Sequence, residues 1–367
     1  MSILRSYDSS KVQVGFTLIE LMVALFLGLL VSAAAVQVYM INAKTAGIQS
    51  TASELVEDAA FNLPTIEKKI RLANLGLADR IAADQPGAGI ILTSANNAVK
   101  DKDGKLQLDN LRNSKDIDGT TNLPKNITID NSSVKVTLLS NTGDQTVGTQ
   151  KNEWTGTSNF NLKSGQLTIQ YRAPQDMYDC EGQLALGPRE VTIGGVKEII
   201  DGQIIVERFY LRAPNASKPT ELSLYCDAGK YITEIMDDYA EQGKPEKNLS
   251  QSVLFTTNNA IRDFGDAGQE IMTHVDYFDI LLSTNTSGQS QYYTIKDYLA
   301  LELEKQPPIV GLKYGLILRS DNAALTDEGL SDFTLLGKKL TLNSELSKKY
   351  LRTVVESYIT IRNTNFE

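Results

Sequence analysis

The sequence predicts an α+β protein: one long N-terminal α-helix, membrane-spanning and then amphipathic, packed on an antiparallel β-sheet domain with large insertions. Three observations carry that prediction. An uncharged run of 21 residues, Leu21 to Ile41, lies near the start. Apolar residues then recur at steps of three and four as far as Ile70, and from Gln166 onward short segments alternate apolar with polar residues. At 367 residues the chain has room for about two domains and a sizeable core. With 36 Lys+Arg against 45 Asp+Glu the net charge is -9, which gives no global electrostatic reason to bind nucleic acid. One histidine and two cysteines exclude His-rich metal sites and four-cysteine zinc modules and leave at most one disulfide. The mean hydropathy of -0.20 is that of an ordinary soluble chain and conceals the apolar block.

Between Phe16 and Ile41 the only charge is Glu20. These 26 residues would form a helix of roughly 39 Å, enough to cross a hydrocarbon core of about 30 Å. Arg5, Lys11 and the amino terminus outweigh Asp8 before the span, and Lys44 is soon followed by Glu54, Glu57 and Asp58 after it. Basic residues stay cytoplasmic, so the bulk of the chain should face outward. A carboxylate costs roughly 2.5 kcal/mol or more near mid-span and less near its end, so Glu20 needs a partner. If the chain is cut after Gly15, the new amino group of Phe16 lies one helical turn away, in the same chain or a neighbour.

Past Ile41 the residues Ile48, Ala52, Leu55, Val56, Ala59, Leu63, Ile66 and Ile70 fall on one helical face. A single helix is the economical reading, with a separate helix after a turn at Gly47 as the alternative. Pro64 should kink it or locally end it. A secretory signal peptide cut near Ser32 to Ala35 is a second alternative, and it leaves the amphipathic part unexplained.

The stretch Gly15-Phe16-Thr17-Leu18-Ile19-Glu20, followed by a long apolar run, resembles the class III leader of type IV prepilins. The resemblance implies a prepilin peptidase that cuts after Gly15 and methylates Phe16. It also implies that Glu20 pairs with a neighbouring subunit's N-terminus and sets register during assembly. The expected divisions are a leader peptide at 1–15, a transmembrane and assembly helix at 16–41, its amphipathic continuation at 42–72, and an extracytoplasmic β-rich domain at 73–367. The mature chain would keep 34 basic and 44 acidic residues in 352, a net charge of -10.

Residues 74–165 are rich in Asn, Asp, Ser, Thr and Gly, with a short strand-like run at Val134 to Leu139. Two Asp-x-Asp-Gly stretches, at Asp101 and Asp116, fail as calcium loops: counted from their glycines, position 12 is Asn110 or Lys125, never a bidentate Glu. They read as hairpin turns. Strand candidates follow at Leu167 to Arg172, where alternation suggests a half-buried strand, and at Gln203 to Leu211, Leu222 to Cys226, Val275 to Leu282, Ile309 to Leu318 and Thr353 to Arg362.

Four blocks, GQLTIQYRAPQDMYDCEG at 165–182, IIVERFYLRAP at 204–214, ELSLYCDAG at 221–229 and YLRTVVESYITIRN at 350–363, resemble the PilW family of minor pilins in that order. Where that family's pattern has an acidic residue, Ile-Arg and then Ala-Gly near the helix end, this chain has Lys69-Ile70-Arg71-Leu72-Ala73-Asn74. The resemblance implies a subunit that helps to initiate or cap a type IV pilus in a tip priming complex, and thereby supports twitching, adhesion or DNA uptake. Its partners would be the prepilin peptidase, other minor pilins, the major pilin and, before assembly, inner-membrane lipid. Its final location would be the pilus fibre, at the tip. Whether a large tip adhesin joins it stays open, as do two alternatives: a large minor pseudopilin of a type II secretion system, and a periplasmic binding or enzymatic domain held by a signal anchor.

In the oxidising periplasm that the leader implies, Cys180 and Cys226 should pair, closing a loop of 47 residues and constraining the unfolded chain by about 4 kcal/mol. No catalytic residue, metal site or cofactor is expected. His274 is the only imidazole, and no G-x-S-x-G, Walker A or H-E-x-x-H motif occurs. Asp237-Asp238 and Glu302 with Glu304 read as solvated faces. Lys68-Lys69, Lys338-Lys339 and Lys348-Lys349 are too sparse for a nucleic-acid groove. The insertions at 95–160 and 230–270 carry no recognisable signal.

Overall fold

The computed structural model of the chain describes residues 15–77, 89–92, 99–100, 106–107, 140–142, 156–193, 196–231, 264–286, 288–301, 305–324 and 329–361. The leader up to residue 14, the second Asp-x-Asp-Gly stretch, the 134–139 run, Asp237-Asp238 and Glu302 to Glu304 lie outside them. Two compact units are found, 1–50 and 51–367. Helix α1 is continuous from Leu18 to Ile70. In the first unit its apolar side chains are exposed, from Leu18 at 75% to Ile41 at 60%, and this helix is long and apolar enough to cross a membrane.

Strands β1 (Val99–Lys100) and β2 (Leu106–Gln107) pair antiparallel; the first Asp-x-Asp-Gly stretch, between them, lies outside the described residues. In chain order there follow β3 (Gln166–Arg172), the short hairpin β4 (Met177–Tyr178) and β5 (Leu184–Ala185), and the hairpin β6 (Arg189–Ile193) and β7 (Val196–Ile200). Next come β8 (Ile204–Arg212), β9 (Ser223–Tyr231), β10 (Gln269–Met272), β11 (Val275–Thr286), β12 (Gln289–Tyr293) and the short helix α2 (Ile295–Leu299). The last are β13 (Ile309–Ala323), the hairpin β14 (Asp332–Leu335) and β15 (Lys338–Thr341), and β16 (Tyr350–Thr360). Two four-stranded antiparallel sheets result, ordered β10-β9-β8-β3 and β12-β11-β13-β16.

Leu55, Ile66, Ile70 and Ala73 enter one apolar core with side chains of both sheets, among them Ile169, Ile205, Phe209, Leu312 and Tyr314. Pro64 does not end the helix. A proline in a helix interior costs about 3 kcal/mol, but Ile66 and Ile70 just beyond it are 3% and 0% exposed, and burying two such side chains offsets that at about 1.5–3 kcal/mol each. One member of the expected stripe is misplaced: Val56 is 66% exposed, because it follows Leu55 by a single residue and so points about 100° away.

The expected half-buried strand at 167–172 is also corrected, since all of β3 is buried. Its polar face finds protein partners instead of water: Arg172 pairs with Asp201 at 2.8 Å and donates to the Gly76 carbonyl. Its free edge is closed by the chain beyond the helix, where the Asn74 and Ile91 amides donate to the Gln170 and Thr168 carbonyls. This edge depends on two unusual backbone positions. Asn74 turns the chain out of the helix at φ 70°, the left-handed conformation usually given to glycine, and a Cβ on Gly89 would lie 2.0 Å from the Asn74 nitrogen. A smaller core lies under the β14–β15 hairpin, where Leu335 rests on Gly315 and the Phe160 ring meets Tyr277 and Phe333 edge to face.

The Asn74 amide group is buried without a hydrogen bond among the described residues. Asn74→Gly should therefore raise the stability of the folded protein, whereas Asn74→Ala, with a less tolerant side chain at positive φ, should lower it by about 1 kcal/mol. Urea unfolding of the two variants beside the parent measures both effects; equal midpoints would refute the backbone argument.

Candidate functional site

Gly15 and Phe16 immediately precede α1, and Glu20 lies in its first turn. Residues 15–17 are not helical, and Phe16 is 90% exposed. Apart from its chain neighbours, no described atom comes within 4 Å of where a Gly15 Cβ would stand. Thr17 and Glu20 form a reciprocal cap. The Thr17 amide and hydroxyl both donate to Glu20 Oε2 at 3.0 Å, and the Glu20 amide donates to Thr17 Oγ1 at 3.2 Å. These bonds satisfy donors that every helix start leaves open, and the carboxylate also sits at the positive end of the helix dipole. Within its own helix Glu20 is held by Thr17, and the T-x-x-E spacing is the local signal for that cap. Glu20 Oε1 accepts no hydrogen bond among the described residues.

A second constellation lies at the other end of the helix, within the unit 51–367. Lys69, expected only as half of a sparse basic pair, reaches into the first sheet, 3.4 Å from Glu207 Oε1, and donates to the Tyr178 carbonyl at 2.6 Å. Glu207 is fully buried on β8 and also accepts from the Tyr171 hydroxyl at 2.9 Å; burial pushes its carboxyl upward, and Lys69 and Tyr171 counter that. Glu67 instead reaches the second sheet, accepting from Tyr314 at 3.1 Å and from Ser357. Burial would raise the Glu67 carboxyl, but these bonds and Arg71 hold it below the usual range.

Cys180 and Cys226 form the disulfide, with Cα atoms 6.1 Å apart. Beside it the carboxylates of Glu181, Asp227 and Asp266 approach within 4.8 Å of one another. Their chemistry would suit a hard cation, yet Asp227 is already bound by Arg208 at 2.7 Å and by the Gly265 amide on both oxygens. His274 lies in the turn between β10 and β11 at φ 54°, half-exposed, with Nε2 3.3 Å from Asp321. Lys338 is a structural residue, 2.7 Å from the buried Asp279.

Residues 12–36 match the family model described as the prokaryotic N-terminal methylation motif. Among curated proteins the comparison found no match. A solved structure with some likeness is a type IV-like pilin from Thermus thermophilus, 13% identical, the match covering 55% of this chain and 79% of that one; its TM-score of 0.24 carries no argument. The matched residues run into the long apolar helix α1, and the same chain carries two four-stranded antiparallel sheets.

Burial and the charges of Asp266 and Asp227 push Glu181 up to about 7, and burial pushes Asp227 up to about 6 against the pull of Arg208. The unfolded chain ionises these groups at lower pH than the folded one, so their contribution to stability falls as pH rises through that interval. Glu181→Gln should raise the melting temperature at pH 8 and leave it nearly unchanged at pH 4. Thermal melts across that range decide it, and a variant that parallels the parent at every pH would refute the assignment.

Proposed function

We propose that this chain is a minor pilin of the PilW kind, cut after Gly15, methylated on Phe16, and used to initiate or cap a type IV pilus. The observation that carries the reading is the leader motif, together with a carboxylate held at the helix mouth with one oxygen unengaged. Glu20 Oε2 caps its own helix; Oε1 would take the ammonium of a neighbouring subunit's Phe16. Pairing two charges in a low-dielectric bundle is strongly favoured over leaving either alone, so the contact would set axial register. Lipid would cover the apolar face of α1 before assembly, and close van der Waals packing against other subunits would hold it in the fibre.

Support for the finer assignment comes from the four blocks that resemble the PilW family. They fall on β3, β4, β8, β9 and β16, and they supply Tyr171, Glu207 and Ser357, three of the groups that receive the helix. In this reading the sheets form the extracytoplasmic body of a tip complex made with other minor pilins, the major pilin above or below it, and the role is structural. Twitching, adhesion or DNA uptake would depend on it through the fibre.

Mass spectrometry of the mature protein should show an N-terminus at methylated Phe16; an intact Met1, or a terminus near Ala34, would refute the processing. Glu20→Ala should insert into the inner membrane at the parental level and be lost from sheared fibres. Full incorporation of that variant would overturn the register role, and a deletion that abolishes secretion while leaving pili intact would point to a secretion pseudopilus.

A further inference from the structure

The disulfide, the β4–β5 hairpin and the end of α1 meet at one buried group. Cys226 on β9 and Glu207 on β8 share a sheet face, because Cys226 pairs with Phe209 and Ala228 with Glu207. The two sulfurs and a Glu207 oxygen all lie within 4.8 Å of one another. Cys180 follows β4, whose Tyr178 carbonyl accepts from Lys69 at 2.6 Å, while the same ammonium lies 3.4 Å from Glu207. Lys69 is therefore held jointly by the hairpin and the strand, and the disulfide ties these two together. The hairpin cannot persist by itself: each strand is two residues long, far below what stands alone in water. Its polar ties to β9 include Lys230, which is 2.9 Å from Asp179 and donates to the Leu184 carbonyl at 3.0 Å, and the Glu181 carboxylate, which accepts from the Ala228 amide.

We propose that the Cys180–Cys226 bond is a redox latch on the docking of α1: reducing it frees the β4–β5 hairpin, opens Glu207 to water and releases the last turn of the helix from the first sheet. In the reduction a dithiol passes two electrons and two protons to the bond, leaving two cysteine thiols and becoming a disulfide itself. The reverse step, by exchange with a protein disulfide in an oxidising compartment, would fix the helix after the chain has crossed the membrane. Cys180 is half-buried, so a small thiol can reach it.

Hydrogen exchange read by mass spectrometry on the purified full chain in detergent tests this, with the oxidised protein compared before and after dithiothreitol. Amides 66–74 should exchange about tenfold faster after reduction, along with those of the hairpin. Lys69→Met should loosen 66–74 in the oxidised protein, and reduction should then add little more, as expected for two changes acting through one contact. Faster exchange confined to 175–186 would overturn the latch, as would a loss of protection reaching β13 and β16, or an undiminished response to reduction in Lys69→Met. Because reduction is applied to the folded chain, the test does not depend on a cysteine variant folding.

Discussion

The final turns of α1 have to satisfy two sheets at once, and the helical repeat makes this possible. Ile66 and Ile70 are about 40° apart around the axis, and both enter the shared core. Glu67 and Lys69 are about 200° apart, so their charges leave on opposite flanks of that apolar seam. One reaches Tyr314 and Ser357 in the second sheet; the other reaches Glu207 in the first. Rotating the helix by one residue, roughly 100°, would drive a charge into the core and withdraw an isoleucine from it. The rotational setting of the end of the helix follows from that single arrangement.

The same helix meets a different requirement in the unit 1–50. Its side chains there are apolar and exposed in the single chain, which in water would be costly at about 25 cal/mol per Å². Lipid or other helices remove the cost. Neither can hydrogen-bond the open amides at a helix start, and that is the role of the Thr17–Glu20 cap. Glu20 therefore has a local reason to exist even before assembly, and the charge that looked anomalous in the sequence is part of the helix terminus. Lys68 and Lys69 complement the opposite end of the dipole.

Much of this was legible beforehand because it depends on local pattern. The apolar run, the i, i+3 and i+4 stripe and the strand candidates at 167–172, 203–211, 222–226, 275–282, 309–318 and 353–362 are local, and each candidate overlaps a strand of the two sheets. What escaped depends on distant residues. Lys69 read only as half of a sparse basic pair because its partner Glu207 is 138 positions away in the chain. The alternation in β3 correctly gave its polar and apolar faces, but polarity of a face does not say whether water or Arg172–Asp201 pairing satisfies it. Asn74 could not be recognised as the glycine-like turn from its neighbours alone, since its φ is imposed by the bond from its amide to Gln170. At the N-terminus the reverse holds: the T-x-x-E spacing of the Thr17–Glu20 cap is local.

The buried ion pairs share a pattern that bears on how this topology is chosen. Glu207, Asp227, Asp276 and Asp279 are each at 0% exposure within a strand. Glu207 is bound by Lys69 from the helix, Asp276 by Arg352 of β16 and Asp279 by Lys338 of β15, while Asp227 takes Arg208 from the adjacent strand. Such pairs add little net stability over apolar residues of the same shape, because desolvation nearly cancels their attraction. Breaking one is different: an unpaired buried charge costs about 3–5 kcal/mol. A one-residue slip of β8 or β11 would turn these carboxylates to the opposite face, away from their partners. Such a slip also turns the apolar side chains of the strand to the other face, so the ion pairs penalise the wrong register beside the core and more than they reward the right one.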